Sequence, residues 1–250
     1  MSEKSRHILL EACVCSVSDA VSAVEHGADR LELNVAIELG GLTPTVGLLQ
    51  QVKEAVDVPV LAMVRPRAGG FQYSTGEQRL MRRDAHALLK DGADGIVVGA
   101  MTQLGTVDVR LMQNLKEACG ERDLVFHMAF DLLPDREAAI EDLIRCGVCR
   151  VLTAGGCKTA MEGSAAISEL QTLANDRLEI LPGGGVTAEN VRSLIQLTGC
   201  RQVHGSFKVL KQDPAGPVCC STYPALKVDH IRAVRSELDR MANGESECGV

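Results

Sequence analysis

The residues of greatest chemical content in this 250-residue chain sit in short apolar runs, at spacings that put them on common faces. Glu11 and Cys13 are two positions apart, as are Glu32 and Asn34, and Arg65 and Arg67. Side chains alternate along an extended segment, so each pair shares a side. If those sides turn inward, two carboxylates and a guanidinium meet, and buried charge is tolerated only when paired and hydrogen-bonded. One network of Glu11, Glu32 and Arg65 is the expectation, serving either as a stabilising plug or as part of a catalytic or ligand site. His127 with Asp131 is a candidate general acid or base, with Glu32 and Glu11 as further catalytic carboxylates; a core histidine is the alternative. Gly183, Gly184 and Gly185 precede Thr187 and a helical stretch, where backbone N–H groups approach an anion such as phosphate, unless the glycines only make a tight turn. Arg65, Arg67 and His204 join them as ligand-binding candidates. Cys13-x-Cys15 sets two thiols on one side of the chain, a donor pair suited to Cu(I) or, alternatively, two small packing residues. Met63, Met101 and Met128 offer thioethers or core filler.

These residues need elements to position them. Aliphatic and β-branched runs at about 8–14, 30–34, 58–64, 94–98, 123–128, 149–153, 178–182 and 201–206 read as strands. Helical stretches fall at 16–27, 45–56, 77–91, 108–119, 135–146, 162–175, 187–198 and 225–241. One helix per connection means parallel strands, and eight such units predict an α/β fold, a single-domain (β/α)8 TIM-type barrel, with an open doubly wound sheet as the alternative. Gly27, Gly92 and Gly147 are natural helix C-terminal caps. The expected organisation is an N-terminal arm over 1–7, the barrel over 8–242 and a flexible tail over 243–250. The tract at 207–224 reads as irregular: a lid, a partner surface or disorder. In such a barrel the strand C-terminal ends carry function, which gives the residues above their priority.

Composition narrows the partners. Lys plus Arg is 26 against 33 for Asp plus Glu, a net charge of −7, and no basic run exceeds Arg82-Arg83. Nucleic acid and anionic membrane surfaces are therefore disfavoured, and no apolar stretch approaches about 18 residues. A charged start without a signal-like apolar region points to the cytoplasm. Ten cysteines then imply reduced thiols or a soft-metal role, while Cys146-x2-Cys149 lacks the second pair a zinc site needs. No nucleotide cofactor is indicated, and Lys158 and Lys208 fall in loop positions unsuited to a Schiff base. A small molecule or a metal ion is the expected ligand.

Taken in order over about residues 8–208, EACVCSVSDAVSAVEHGADRLEL, GGLTPTVGLLQ, VRPRAGGFQYS, DGADGIVVGAMTQLGTVD, FHMAFD, RVLTAGG and LPGGGVTAENV resemble the CutC family of copper homeostasis proteins. The resemblance implies a cytoplasmic TIM-type barrel that self-associates as a homo-oligomer, with Cu(I) binding ascribed to some members. Glu11, Cys13, Glu32, Arg65, Arg67, His127, Asp131 and His204 match family positions. Asn34 stands where the family usually has cysteine, Met128 where it has arginine, and Gly205-Ser206-Phe207-Lys208 replaces Cys-Ser-Ala-Arg. Cys15, usually aspartate in the family, compensates for one lost thiol. The chain thus has two candidate functions of different class: a copper-binding homeostasis protein using Cys13 and Cys15, or a barrel enzyme acting on a small polar or phosphorylated metabolite with His127 as acid/base.

Overall fold

Short runs such as LLEACV and GIVV are too brief for stable helices and too apolar for the surface, so they become strands buried on both sides. In the computed structural model, which describes residues 7–216 and 221–244, they are β1 (Leu9–Val14), β2 (Arg30–Leu33), β3 (Val60–Met63), β4 (Gly95–Val98), β5 (Asp123–Phe126), β6 (Arg150–Thr153), β7 (Glu179–Pro182) and β8 (Gln202–Gly205). All eight run parallel in the order β7-β6-β5-β4-β3-β2-β1-β8. A parallel bridge between Gly183 and His204 draws β7 to β8 and nearly closes the expected barrel.

The connecting helices are α1 (Val17–Glu25), α2 (Val46–Ala55), α3 (Thr75–Lys90), α4 (Val109–Cys119), α5 (Arg136–Arg145), α6 (Ser164–Ala174) and α7 (Val191–Thr198). Their starts are set by oxygen caps: Ser16 accepts from the Asp19 N–H at 3.0 Å, and Ser74 and Glu77 form a reciprocal capping box. α7 begins four residues later than expected because the Asn190 side chain holds a turn first. Its Oδ1 accepts from the Thr187 N–H at 2.9 Å and its Nδ2 donates to the Gly185 carbonyl at 2.7 Å.

The tract expected to be irregular is largely a hairpin. β9 (Lys208–Gln212) pairs antiparallel with β10 (Thr222–Leu226), since KVLKQ and TYPAL carry β-favouring residues, and α8 (Val228–Ala242) comes next. Residues 217–220, with Cys219 and Cys220, lie outside the described residues, as do 1–6 of the arm and 245–250 of the tail.

Alternation divides the strand side chains into two populations. Leu10, Ala12, Val14, Leu31, Leu33, Ile96 and Val98 join the helices in the main apolar core, while Leu61, Met63, Val97 and Val125 form a small separate cluster within the barrel. The rest of the barrel's N-terminal layer is polar. Arg30 binds the Glu11 carboxylate and donates to Gln202 Oε1 at 2.9 Å; Gln202 donates to Glu179 at 3.3 Å; Arg150 donates to Glu179 at 2.7 Å and to Asp123 at 3.2 Å. This chain crosses β2, β1, β8, β7, β6 and β5. Arg30, with both its neighbours in the network buried, fills the role that sequence reasoning assigned to Arg65; Arg65 lies at the other end of β3 and takes no part.

Leaving the buried Glu11 without its guanidinium, with His204 as its remaining partner, should be costly. Arg30→Met is expected to lower stability by about 3–5 kcal/mol, read as a fall in the urea midpoint. An unchanged midpoint would mean that the belt contributes nothing to closure.

Candidate functional site at the strand C-terminal ends

The opposite end of the barrel opens into a cavity of about 740 Å³. Cys13, Glu32, Asn34, Met63, Arg65, His127, Gly184, Gly185, His204 and Lys208 line it, together with apolar side chains from the loops. The strand-end rule thus brings most of the expected residues together. Gly183 stays in the bridge to His204 while Gly184 and Gly185 adopt φ of +98° and +72° and reach the cavity wall. Glu189 also lines the wall there, so a carboxylate stands close to the start of α7 where an anion was expected.

Two expected pairings are not made, and one expected ligand-binding residue lies elsewhere. His127 does not pair with Asp131, because the chain leaves β5 at His127 and turns through a short 3-10 segment, Met128–Leu132, that carries Asp131 to the end of β6. There Asp131 accepts from the Thr153 hydroxyl and from the N–H groups of Ala154 and Gly156, both at 2.8 Å, which fixes the β6 loop. Arg67 does not reach the cavity: it pairs with Glu77, stacks over Tyr73 at 5.2 Å and donates to the carbonyls of Ala68, Gly70 and Gln72, clipping the loop after β3. Arg65 does reach the cavity, but its bonds go to main-chain carbonyls rather than to Glu11 or Glu32.

The two carboxyl groups at the centre are shifted in opposite directions. Burial raises the Glu11 pKa, but Arg30 and a 2.7 Å bond from His204 Nδ1 outweigh it and keep the carboxyl well below the usual range. Burial raises Glu32, with the Glu11 charge adding to it and the His204 charge and the Asn34 bond at 2.7 Å opposing it. For His204 burial acts downward, yet the bond to Glu11 and the charge of Glu32 prevail and its pKa rises. Ligand atoms of Glu11, Glu32 and His204 lie within 4.8 Å of one another. Their oxygen and imidazole donors suit a harder ion than Cu(I), and Glu11 is already paired with Arg30.

The sulfur donors are arranged differently. Cys13 and Cys15 are in hydrogen-bonding contact, and this contact raises Cys13 while lowering Cys15 to about 7; burial opposes the second effect, and Lys208 assists it. Lys208 Nζ donates to Cys15 Sγ at 2.8 Å and stands 3.7 Å from Asp19. Asn34 Nδ2 donates to Cys13 Sγ at 3.3 Å. Met63 and Met128 line the same cavity. Sequence reasoning missed Arg30, although it shares a strand face with Glu32, and missed Lys208 as the partner of Cys15, which only the hairpin's return brings near.

His127 is buried and neutral. Burial first, then the positive charge of Arg65, lowers its pKa to about 3. A group depressed below its unfolded value contributes stability above that value and loses it as pH falls, because the unfolded chain takes up the proton first. Stability is therefore expected to drop between about pH 6.5 and the folded value near 3, by up to about 1.4 kcal/mol per pH unit from this group alone. In His127→Gln this part of the slope should vanish from urea midpoints measured across that range; an unchanged slope would show that His127 charges in the folded state.

Known proteins share this barrel and much of this sequence. Residues 8–209 match the model of the CutC family. A CutC family protein of Treponema denticola is 43% identical over 218 residues, covering 87% of this chain and 89% of the relative. The human copper homeostasis protein cutC homolog is 38% identical over 238 residues, covering 91% and 87%. Among solved structures, CutC of Streptococcus agalactiae superposes with a TM-score of 0.76 at 34% identity, over 80% of this chain and 98% of that one. A phosphoribosylanthranilate isomerase of Thermotoga maritima, with a TM-score of 0.58 at 16% identity, shares the barrel fold. A barrel of eight parallel strands, with Cys13, Glu32, Arg65, His127 and His204 at its functional end, the chain belongs to the CutC family.

Proposed function

We propose that this chain takes part in copper homeostasis by holding Cu(I), as cargo, on Cys13 and Cys15. The observation that carries the reading is the contact between these two thiols at the end of β1, one buried on the cavity wall and the other with its pKa brought down to about 7. Thiolates are the donors that a soft monovalent ion selects, and a thiol with a pKa near 7 gives up its proton at little cost. Met63 and Met128 supply thioethers on the same wall. The relatives named for copper homeostasis support the assignment.

The rest of the reading goes with the ion. Every described cysteine carries a free thiol, which accords with a reducing, cytoplasmic setting. No described helix is long and apolar enough to cross a membrane. Self-association is part of the proposal, and exposed Leu210 and Tyr223 on the hairpin offer it a surface. With a pKa of about 3 His127 is uncharged at neutral pH, so the enzymatic alternative would have it as a neutral imidazole rather than a charged acid.

The test is anaerobic competition against a cuprous chelator under reducing conditions. Wild type is expected to retain one equivalent of Cu(I), and the double variant Cys13→Ser with Cys15→Ser to lose it while keeping its urea midpoint. Failure of the wild type to compete, or full retention by the double variant, would remove these thiols as the copper site.

A further inference from the structure

Arg65 is 5% exposed, yet none of its hydrogen bonds ends on a carboxylate. Its guanidinium donates to the carbonyls of Leu39, Gly41 and Gly69 at 2.8, 2.9 and 2.7 Å, and its Nε–H has no partner among the described residues. Carbonyl dipoles solvate a cation but do not cancel its charge, and an uncompensated buried charge is costly. Tyr73 beside it is a neutral phenol, kept so chiefly by burial.

A second unsatisfied donor stands close by. The Phe71 ring packs against both Arg65, whose Cζ is 5.0 Å from its centroid, and His127, whose ring centroid is 4.9 Å away. His127 Nδ1 accepts from the Ala129 N–H at 3.0 Å, so that nitrogen carries a lone pair, and in the neutral ring the proton sits on Nε2. Nε2 is buried and has no partner among the described residues. A methyl at Gly99 would fall 2.1 Å from His127 Cε1, so the strand beside it leaves just enough room for the ring and holds it in place.

We propose that the cavity binds a small organic monocarboxylate, its two oxygens meeting the Arg65 Nε–H and the His127 Nε2–H, and its apolar body lying against Phe71, Ile37, Leu132 and Leu152. The two orphan donors match the two oxygens of one carboxylate, and the ligand's single negative charge cancels that of Arg65. Glu32 and Glu189 share the cavity, and their carboxyl groups disfavour a dianion such as phosphate. Apolar walls disfavour a strongly hydrated ligand for the same solvation reason. His127 is therefore a fixed hydrogen-bond donor rather than a base, and the donors of this site are distinct from the thiols that would carry copper, although Cys13 lines the same cavity.

Hexanoate is the probe, with hexanamide as its uncharged counterpart and inorganic phosphate as the dianion, measured by titration calorimetry and by 15N resonances of the histidine rings. Hexanoate is expected to bind at least about tenfold more tightly than hexanamide, to shift the His127 Nε2–H resonance, and to resist displacement by phosphate. His127→Phe, which keeps a ring and removes the donor, should weaken hexanoate by about tenfold or more, and Arg65→Met likewise. Should Arg65→Met fail to fold, Arg65→Lys, which keeps the charge without the Nε–H, takes its place with the same expectation. Hexanoate titration and the chelator competition are both run on the wild-type protein, so the failure of this inference and the failure of the copper reading are read separately. Equal binding of hexanoate and hexanamide, displacement by phosphate, or an unmoved His127 resonance would overturn it.

Discussion

Closure of the barrel depends on a belt of charge at its N-terminal layer. β7 and β8 meet through one described bridge, Gly183 to His204, so the main-chain ladder is weakest where the sheet must join itself. Arg30, Glu11, Gln202, Glu179 and Arg150 pass hydrogen bonds across that seam and on to Asp123 of β5. Removing Glu11 leaves the buried Arg30 without a carboxylate, and removing Glu179 and Asp123 does the same to the buried Arg150, so the belt's charges depend on one another. Among the described residues nothing comparable crosses β3 and β4, where Leu61, Met63, Val97 and Val125 fill the barrel by packing alone. With one end closed by charge and apolar side chains, the other end keeps its cavity.

At that open end several charged or polar residues act on loops rather than on a ligand. Asp131 gathers three donors from the end of β6, Arg67 three carbonyls after β3, and Asn190 both sides of the turn before α7. Loops held by their own polar side chains keep cavity walls in place without regular secondary structure. That rigidity gives meaning to the donors left over. In a mobile loop an unsatisfied Arg65 Nε–H or His127 Nε2–H would find water; in a fixed wall it stays desolvated until an acceptor arrives.

The barrel was legible in the sequence because period-2 and period-3.6 patterns alternate eight times, and each pattern has a cap or glycine at its end. Facing was legible too: Glu11, Cys13, Glu32 and Asn34 all lie on the inner side. What alternation does not supply is depth. Arg30 and Arg65 are both inward on adjacent strands, but one begins β2 and the other lies beyond the end of β3, so only the first can meet Glu11. His127 and Asp131 failed as a pair for a similar reason, since strand geometry ends at His127 and a 3-10 turn redirects the next five residues, Met128–Leu132. The hairpin was obscured by prolines and glycine in its connection, although the flanking runs have strand composition.

Lys208 shows how a distant element completes a site that local sequence leaves half-formed. Cys15 lies just past β1, and no nearby cation in sequence would lower its pKa; the lysine comes from the first position of β9, 193 residues on. Its side chain is only 6% exposed, so the ammonium has little water to lean on and is held by the Cys15 sulfur and Asp19. A compact point charge can approach a single sulfur closely, whereas a planar guanidinium prefers paired oxygens. Seating the ammonium therefore favours the thiolate, and the thiolate in turn anchors the start of the hairpin. A soft cation arriving at Cys15 must compete with that ammonium, so loading the thiols and loosening the first residues of β9 are opposite sides of one electrostatic balance.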